Sequence, residues 1–259
     1  MFRRVALTLS MLAIASAAFA EVKTKEVEYK QGDTVLQGFV AWDDAVSGKR
    51  PGVLVVHEWW GHNQHARNQA IRLATAGYVG FALDMYGKGK VATHPQDAQA
   101  FMAEATKDPA AMKARFDAAL AQLKADPHVD PEKIAAIGYC FGGAVVLGMA
   151  RAGEDLDAVG VFHGPLATQT PAQKGVVKAR VLAQIGEADP MIPQSQVADF
   201  KKEMEAAGVT YKVVTYPGAK HGFTNPDAGT FGMDALAYDK SADEKSFAVL
   251  LDWLKGSFK

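Results

Sequence analysis

The sequence predicts a doubly wound α/β fold whose sheet is mostly parallel, with an antiparallel edge contributed by the N-terminal part. Three observations carry this expectation. From Pro51 onward, short continuously apolar segments alternate with segments of helical periodicity; before Pro51, two segments alternate apolar and polar residues; and one apolar segment ends in a glycine-flanked turn that opens directly into a helix.

In chain order, Val22–Tyr29 and Thr34–Trp42 read as two antiparallel strands joined at Gln31–Gly32–Asp33, a turn-forming run. Apolar strands follow at 53–57, 78–84, 133–139, 157–163, 180–185 and 210–216. Helices are expected near 63–76, 95–105, 108–125, 141–152, 193–207 and 241–255, and Pro131–Lys133 reads as a short turn leading into the third of these strands. In the last helix, Phe247, Leu250, Leu251 and Leu254 recur at helical spacing, which predicts a core-facing stripe. No linker, repeat or low-complexity tract interrupts residues 21–259, so a single domain is expected there.

Residues 1–20 have another character. A short basic start at Arg3 and Arg4, an apolar run from Val5 to Ala18 and the small-x-small triplet Ala18–Phe19–Ala20 predict a secretory signal peptide cleaved after Ala20. The apolar run is short for a membrane span and no later segment is long enough, so no membrane association is expected after cleavage. The predicted location is the periplasm or the medium. The chain has 28 Lys and Arg against 29 Asp and Glu, without basic runs, which argues against nucleic-acid binding. A monomer acting on a small molecule is expected. With one cysteine, no internal disulfide forms, and a free thiol retained in an oxidising space speaks for a chemical role.

That cysteine stands in Ile134–Gly143, an apolar strand running into Gly138–Tyr139–Cys140–Phe141–Gly142 and then a helix. Glycines two positions either side leave room for a sharp strand-to-helix reversal, and the helix start turns its amides toward the sulfur, favouring thiolate and offering donors to an oxyanion. Downstream, the loop after strand 180–185 carries Asp189 and the loop after strand 210–216 carries His221. Nucleophile, acid and histidine in that order are the arrangement of an α/β-hydrolase, with Phe141 supplying the usual oxyanion amide.

A second group lies at the end of strand 53–57: Glu58, Trp59, Trp60 and Gly61. It falls at the carboxyl edge of the sheet, where α/β folds bind ligands, and a carboxylate beside two indoles is partly desolvated. The overlapping His57, His62 and His65 resemble a zincin motif at a glance. The His57–His62 spacing is one residue too long and His57 sits on a strand, so neither zinc nor any organic cofactor is expected. His163 ends another strand and reads as a hydrogen-bonded histidine at the sheet edge; His94 and His128 receive no role.

Together these segments resemble the dienelactone hydrolase family, on Glu58–Gly61, Gly138–Gly143, Gly186 with Asp189, and His221–Phe223. The resemblance implies a cysteine hydrolase in which Glu58 governs ionisation of the resting thiol and the Trp59 amide joins Phe141 in the oxyanion hole. It also draws attention to two arginines that bind a substrate carboxylate in the best-known members; this chain has Met85–Tyr86–Gly87–Lys88 and Asn225 at those places. Lysine offers a point charge without a fork and asparagine no charge. A neutral or weakly anionic lactone or ester therefore fits at least as well as the dienelactone acid. Trp60, Tyr86, Lys88 and Phe223 are the expected substrate contacts. The alternatives are a broad carboxylesterase or thioesterase, and an inactive periplasmic binding protein on the same fold.

Overall fold

The computed structural model describes residues 21–258. The expected signal peptide lies outside the described residues. The elements are β1 (Val22–Gln31), β2 (Thr34–Asp43), β3 (Arg50–Val56), α1 (Gln64–Thr75), β4 (Val79–Leu83), α2 (Pro95–Thr106), α3 (Pro109–Ala125), β5 (Val129–Tyr139), α4 (Phe141–Arg151), β6 (Ala158–Phe162), β7 (Arg180–Gly186), α5 (Gln194–Ala207), β8 (Tyr211–Tyr216) and α6 (Lys240–Lys255). A short 3₁₀ turn at Ala228–Phe231, absent from the sequence expectation, lies between β8 and α6.

One eight-stranded sheet runs in the order β1-β2-β4-β3-β5-β6-β7-β8. β1 pairs antiparallel with β2 and β2 antiparallel with β4, while β4 through β8 are parallel. The expected edge and doubly wound body are both present. Pro131–Lys133 is not a turn before β5 but part of it: the β3–β5 register shifts between Pro51 and Gly52, so Asp130 and Ile134 pair with consecutive residues. Proline has no amide to give the ladder, and the irregularity absorbs it.

The parallel strands read as unbroken apolar runs because both their faces are covered. Val53 and Val55 face a core with Ala66, Ala70 and Leu73 of α1 and Leu250 and Leu254 of α6. Leu54 and Val56 face the opposite core, with Phe116 and Leu123 of α3, Val145 and Val146 of α4, and Phe200 of α5. Of the apolar stripe expected in α6, Leu250 and Leu254 are buried and Phe247 packs against the same cluster.

Side-chain caps hold several helix starts: Asp108 accepts from Ala110 and Ala111 at α3, Asp239 from Ala242 at α6, and Gly208 ends α5 in the left-handed region. The chain leaves central β3 toward β4 on one side and returns to β5 on the other. This reversal opens a crevice at the carboxyl ends of β3 and β5. The loop from Glu58 to Trp60 and the turn at Cys140 both emerge there.

Candidate active site

Cys140 sits at the start of α4 with φ 51° and ψ −116°, a backbone conformation that disfavours side chains. Its neighbours explain how the turn closes. A β-carbon on Gly138 would lie 2.0 Å from the Gly142 carbonyl oxygen, and one on Gly142 would lie 2.3 Å from the Val56 oxygen. Only glycine fits either place. The Cys140 amide donates to the Phe162 carbonyl at 3.0 Å, tying the turn to β6.

The amides of Trp59 and Phe141 have no hydrogen-bond partner among the described residues. For Phe141 this follows from its place as the first residue of α4, whose initial N–H groups have no acceptor within the helix. Both residues line the cavity wall at Cys140. Two unengaged donors beside a thiol at the start of a helix could hold an oxyanion. The Tyr86 hydroxyl donates to the Trp59 carbonyl at 3.1 Å and fixes that peptide; burial, and next the charge of Cys140, push the Tyr86 pKa upward, so it stays a donor.

His221 Nδ1 is 2.8 Å from Asp189 Oδ2, and Asp189 Oδ1 accepts from the Met191 amide at 2.8 Å. Asp189 and His221 are both buried. Their loops meet because Gly186 permits it: a β-carbon there would lie 2.3 Å from the Ala219 oxygen, which accepts from the Ala188 amide at 3.0 Å. His221 Nε2 has no conventional hydrogen-bond partner and lies within interaction range of the Cys140 sulfur. Burial opposes charge on the ring. The negative charge of Cys140, then the hydrogen bond to Asp189, outweigh it and raise the His221 pKa to about 10.

A pKa raised from 6.5 to about 10 means that the fold favours the protonated ring. The stability this contributes is fully present below pH 6.5 and is lost as pH rises through about 10. The ring carbon resonance of His221 is expected to report imidazolium through neutral pH and to titrate near 10. In Cys140→Ala the titration moves down, since the largest supporting charge has gone; an unchanged midpoint would mean that sulfur and ring are not coupled.

Glu58 is buried and accepts from Asn225 Nδ2 at 2.6 Å, with His65 Nδ1 at 3.7 Å. Behind it runs a buried polar chain. His65 Nε2 lies 3.4 Å from Thr224 Oγ1, which lies 2.9 Å from His163 Nε2, and the His163 ring packs edge-on against His221 at 5.1 Å. Burial, followed by the charge of His221, holds the His163 pKa well below 6.5, so that ring is neutral. His221, Thr224 and Asn225 thus place, from one loop, the imidazole, the polar chain and the anchor of the carboxylate.

The expected substrate contacts divide. Trp60 lines a small cavity with Glu58, Cys140 and His221 and stacks on Phe231 at 3.9 Å. Tyr86, Phe223 and Lys88 line neither cavity at Cys140. Tyr86 braces Trp59 from behind, and Phe223 is fully buried beneath His163 and Tyr216. Lys88 is half exposed and pairs with Glu28 of β1. His57 donates from Nδ1 to the Glu58 carbonyl at 2.5 Å and accepts at Nε2 from Met85 at 3.1 Å, occupying both nitrogens. Its pKa is lowered by burial.

Asn225 appeared in the sequence only as a missing charge; its role as the Glu58 partner needed the fold. The cleft walls Met102, Pro165, Met191 and Leu236 were also missed, each coming from a different loop or helix. The signal within reach was the unbroken run His221–Gly222–Phe223–Thr224–Asn225, which puts a hydroxyl and an amide three and four positions after the histidine.

The family model for the dienelactone hydrolase family matches residues 36–258. Protein usf of Aquifex pyrophilus is 32% identical over 208 residues, 77% of this chain and 86% of that protein. A protein of Aquifex aeolicus provisionally named carboxymethylenebutenolidase is 31% identical over 205 residues, 77% of this chain and 86% of its own. Among solved structures, a dienelactone hydrolase-like promiscuous phosphotriesterase from metagenomic libraries superposes with a TM-score of 0.87 at 35% identity, covering 92% of this chain and 99% of that one. The dienelactone hydrolase of Anabaena variabilis shares the fold at a TM-score of 0.66 and 19% identity, over 92% of this chain and all of that one.

Proposed function

The chain belongs to the dienelactone hydrolase family and is an ester-acting hydrolase, and from that premise we propose that it is an exported cysteine enzyme that cleaves a lactone or carboxylic ester through a thioester. The observation that carries this reading is Cys140, held at positive φ between two unengaged amides and within range of an imidazole that Asp189 orients.

The thiolate of Cys140 bonds to the ester carbonyl carbon, and the carbonyl oxygen takes the negative charge in front of the Trp59 and Phe141 amides. As the intermediate collapses, the carbon–oxygen bond to the alcohol breaks and protonated His221 gives its proton to the departing oxygen. Water then adds to the thioester and yields a proton to His221; the carbon–sulfur bond breaks, releasing the acid and restoring thiolate and imidazolium. Asp189 stabilises the imidazolium without taking its proton. Glu58, fixed by Asn225 next to the thiol, tunes when the sulfur ionises.

Acid quench during turnover of an aryl acetate, followed by mass spectrometry, is expected to show one acetyl group on the peptide containing Cys140. Acetylation elsewhere, or none at any time with turnover continuing, would remove the covalent reading. Export rests on the residue pattern of 1–20. The same intact mass reads the N-terminus, which is expected at Glu21 after secretion.

A further inference from the structure

Cys140 faces two cavities of different character. The one toward Glu58, Asn225 and Trp60 has a volume of only about 10 Å³. The other is a cleft of about 200 Å³ whose walls, besides Cys140 and His221, are Trp59, Met102, Phe141, Pro165, Met191 and Leu236. Neither is lined by a lysine or an arginine. Among cations of the neighbouring segments, Lys88 pairs with Glu28, Arg115 donates to the Met85 carbonyl at 2.6 Å, and Lys90 lies over the Phe101 ring at 5.9 Å. The one fixed carboxylate beside the thiol, Glu58, has a neutral amide as its hydrogen-bond donor.

These facts bear on charge and on shape. A substrate carboxylate brought to this cleft would lose water without gaining a counter-ion, and it would approach Glu58; burying an unpaired charge is strongly unfavourable. An apolar chain would find a wall made of carbon and sulfur. The acyl group stays bonded to sulfur after the alcohol leaves, and the small cavity holds no more than about one water-sized group, so the larger cleft is the one with space for a longer acyl chain. Met191, 44% exposed, borders its open side, and the alcohol departs toward solvent.

Building on the thioester reading above, we infer that the Met102–Met191–Leu236 cleft is an acyl-chain site, and that the preferred substrates are neutral esters of unbranched aliphatic acids rather than carboxylate-bearing lactones. At about 200 Å³ the cleft is expected to accommodate a chain of about four to six carbons.

The test is a set of p-nitrophenyl esters from acetate to decanoate, a matched set of acetates of lengthening alcohols, the monoanionic p-nitrophenyl half-ester of adipic acid, and a carboxylated enol lactone. Each is run with wild type, Cys140→Ala and Met102→Trp. Expected is a rise in kcat/KM of about fourfold per acyl methylene up to about hexanoate, then a plateau or fall. The alcohol series should be nearly flat. The anionic half-ester should run roughly a hundredfold or more below the neutral hexanoate, because its carboxylate is left unpaired. Met102→Trp fills the cleft and should lower the hexanoate-to-acetate ratio about tenfold, a ratio insensitive to the fraction of folded enzyme.

Three results would overturn the assignment while leaving the hydrolase reading intact, provided that turnover still vanishes in Cys140→Ala: a flat acyl profile, chain-length dependence confined to the alcohol, or an anionic substrate used as well as the neutral ones. Absence of Cys140-dependent turnover across the whole panel would overturn both. If Met102→Trp does not fold, the wild-type acyl and charge series decide alone.

Discussion

Cys140→Ala is expected to lower kcat/KM for any ester substrate by about 10⁵-fold or more while leaving the fold intact. The loss corresponds to about 7 kcal/mol of transition-state stabilisation. It is this large because in the proposed mechanism the cysteine supplies the bond-forming atom, and its charge is the largest support for the imidazolium of His221. The amides of Trp59 and Phe141 survive the substitution, so residual catalysis over water should remain. Alanine keeps the same β-carbon at the same φ of 51°, so no new backbone strain enters, and the stability that is lost is the support the Cys140 charge gives the His221 imidazolium. Circular dichroism and a thermal melt establish the fold, and a progress curve measures the rate. Activity above about one per cent of wild type, in protein free of contaminating esterase, would remove Cys140 as the nucleophile.

Gly142→Ala is expected to destabilise the protein by about 3 kcal/mol or more, since overpacking against backbone cannot be relieved by a rotamer change. The added β-carbon would lie 2.3 Å from the Val56 oxygen and 2.6 Å from the His57 oxygen. Those carbonyls end the central strand β3, so relief requires moving the peptides that lead to Glu58 and Trp59. Activity should fall with stability, because the oxyanion amides sit on both sides of the displaced contact. A melting temperature lower by about 10 °C is the expected readout for a domain of this size. Gly148→Ala, in the same helix, is the control: its β-carbon meets nothing within 4 Å, and removing a helical glycine should stabilise by about 0.5 to 1 kcal/mol. If the two variants behave alike, the close approach of α4 to β3 is not what glycine at 142 serves.

Much of the fold was legible because its signals are local. The sheet strands fall within a few residues of the apolar segments, since a strand covered on both faces must be apolar throughout. The helix starts at Asp108 and Asp239 carry their caps in the sequence, and Pro109 follows the first of them. The misreading of Pro131–Lys133 has an equally local origin. Proline and charge look like a turn, and only the pairing of β5 with β3 reveals an irregular strand.

The site divides along the same line. Residue order alone revealed that a lone cysteine stands in a glycine-flanked turn, with an acid and a histidine after the later strands, because close backbone approach restricts residue choice wherever it occurs. It also determined that Glu58 follows the central strand. Where the longer side chains go depends on how the elements pack. Lys88 reaches back to Glu28 on the edge strand, Tyr86 turns inward to brace Trp59, and Phe223 fills the space under His163. Asn225 becomes the partner of Glu58 across 167 positions of sequence. The cleft at Cys140 likewise has no motif, for its walls come from α2, α4 and separate loops. A turn is specified by residues adjacent in the chain, whereas a cavity is the space left between elements after they pack, and its chemistry belongs to whichever side chains that packing brings together.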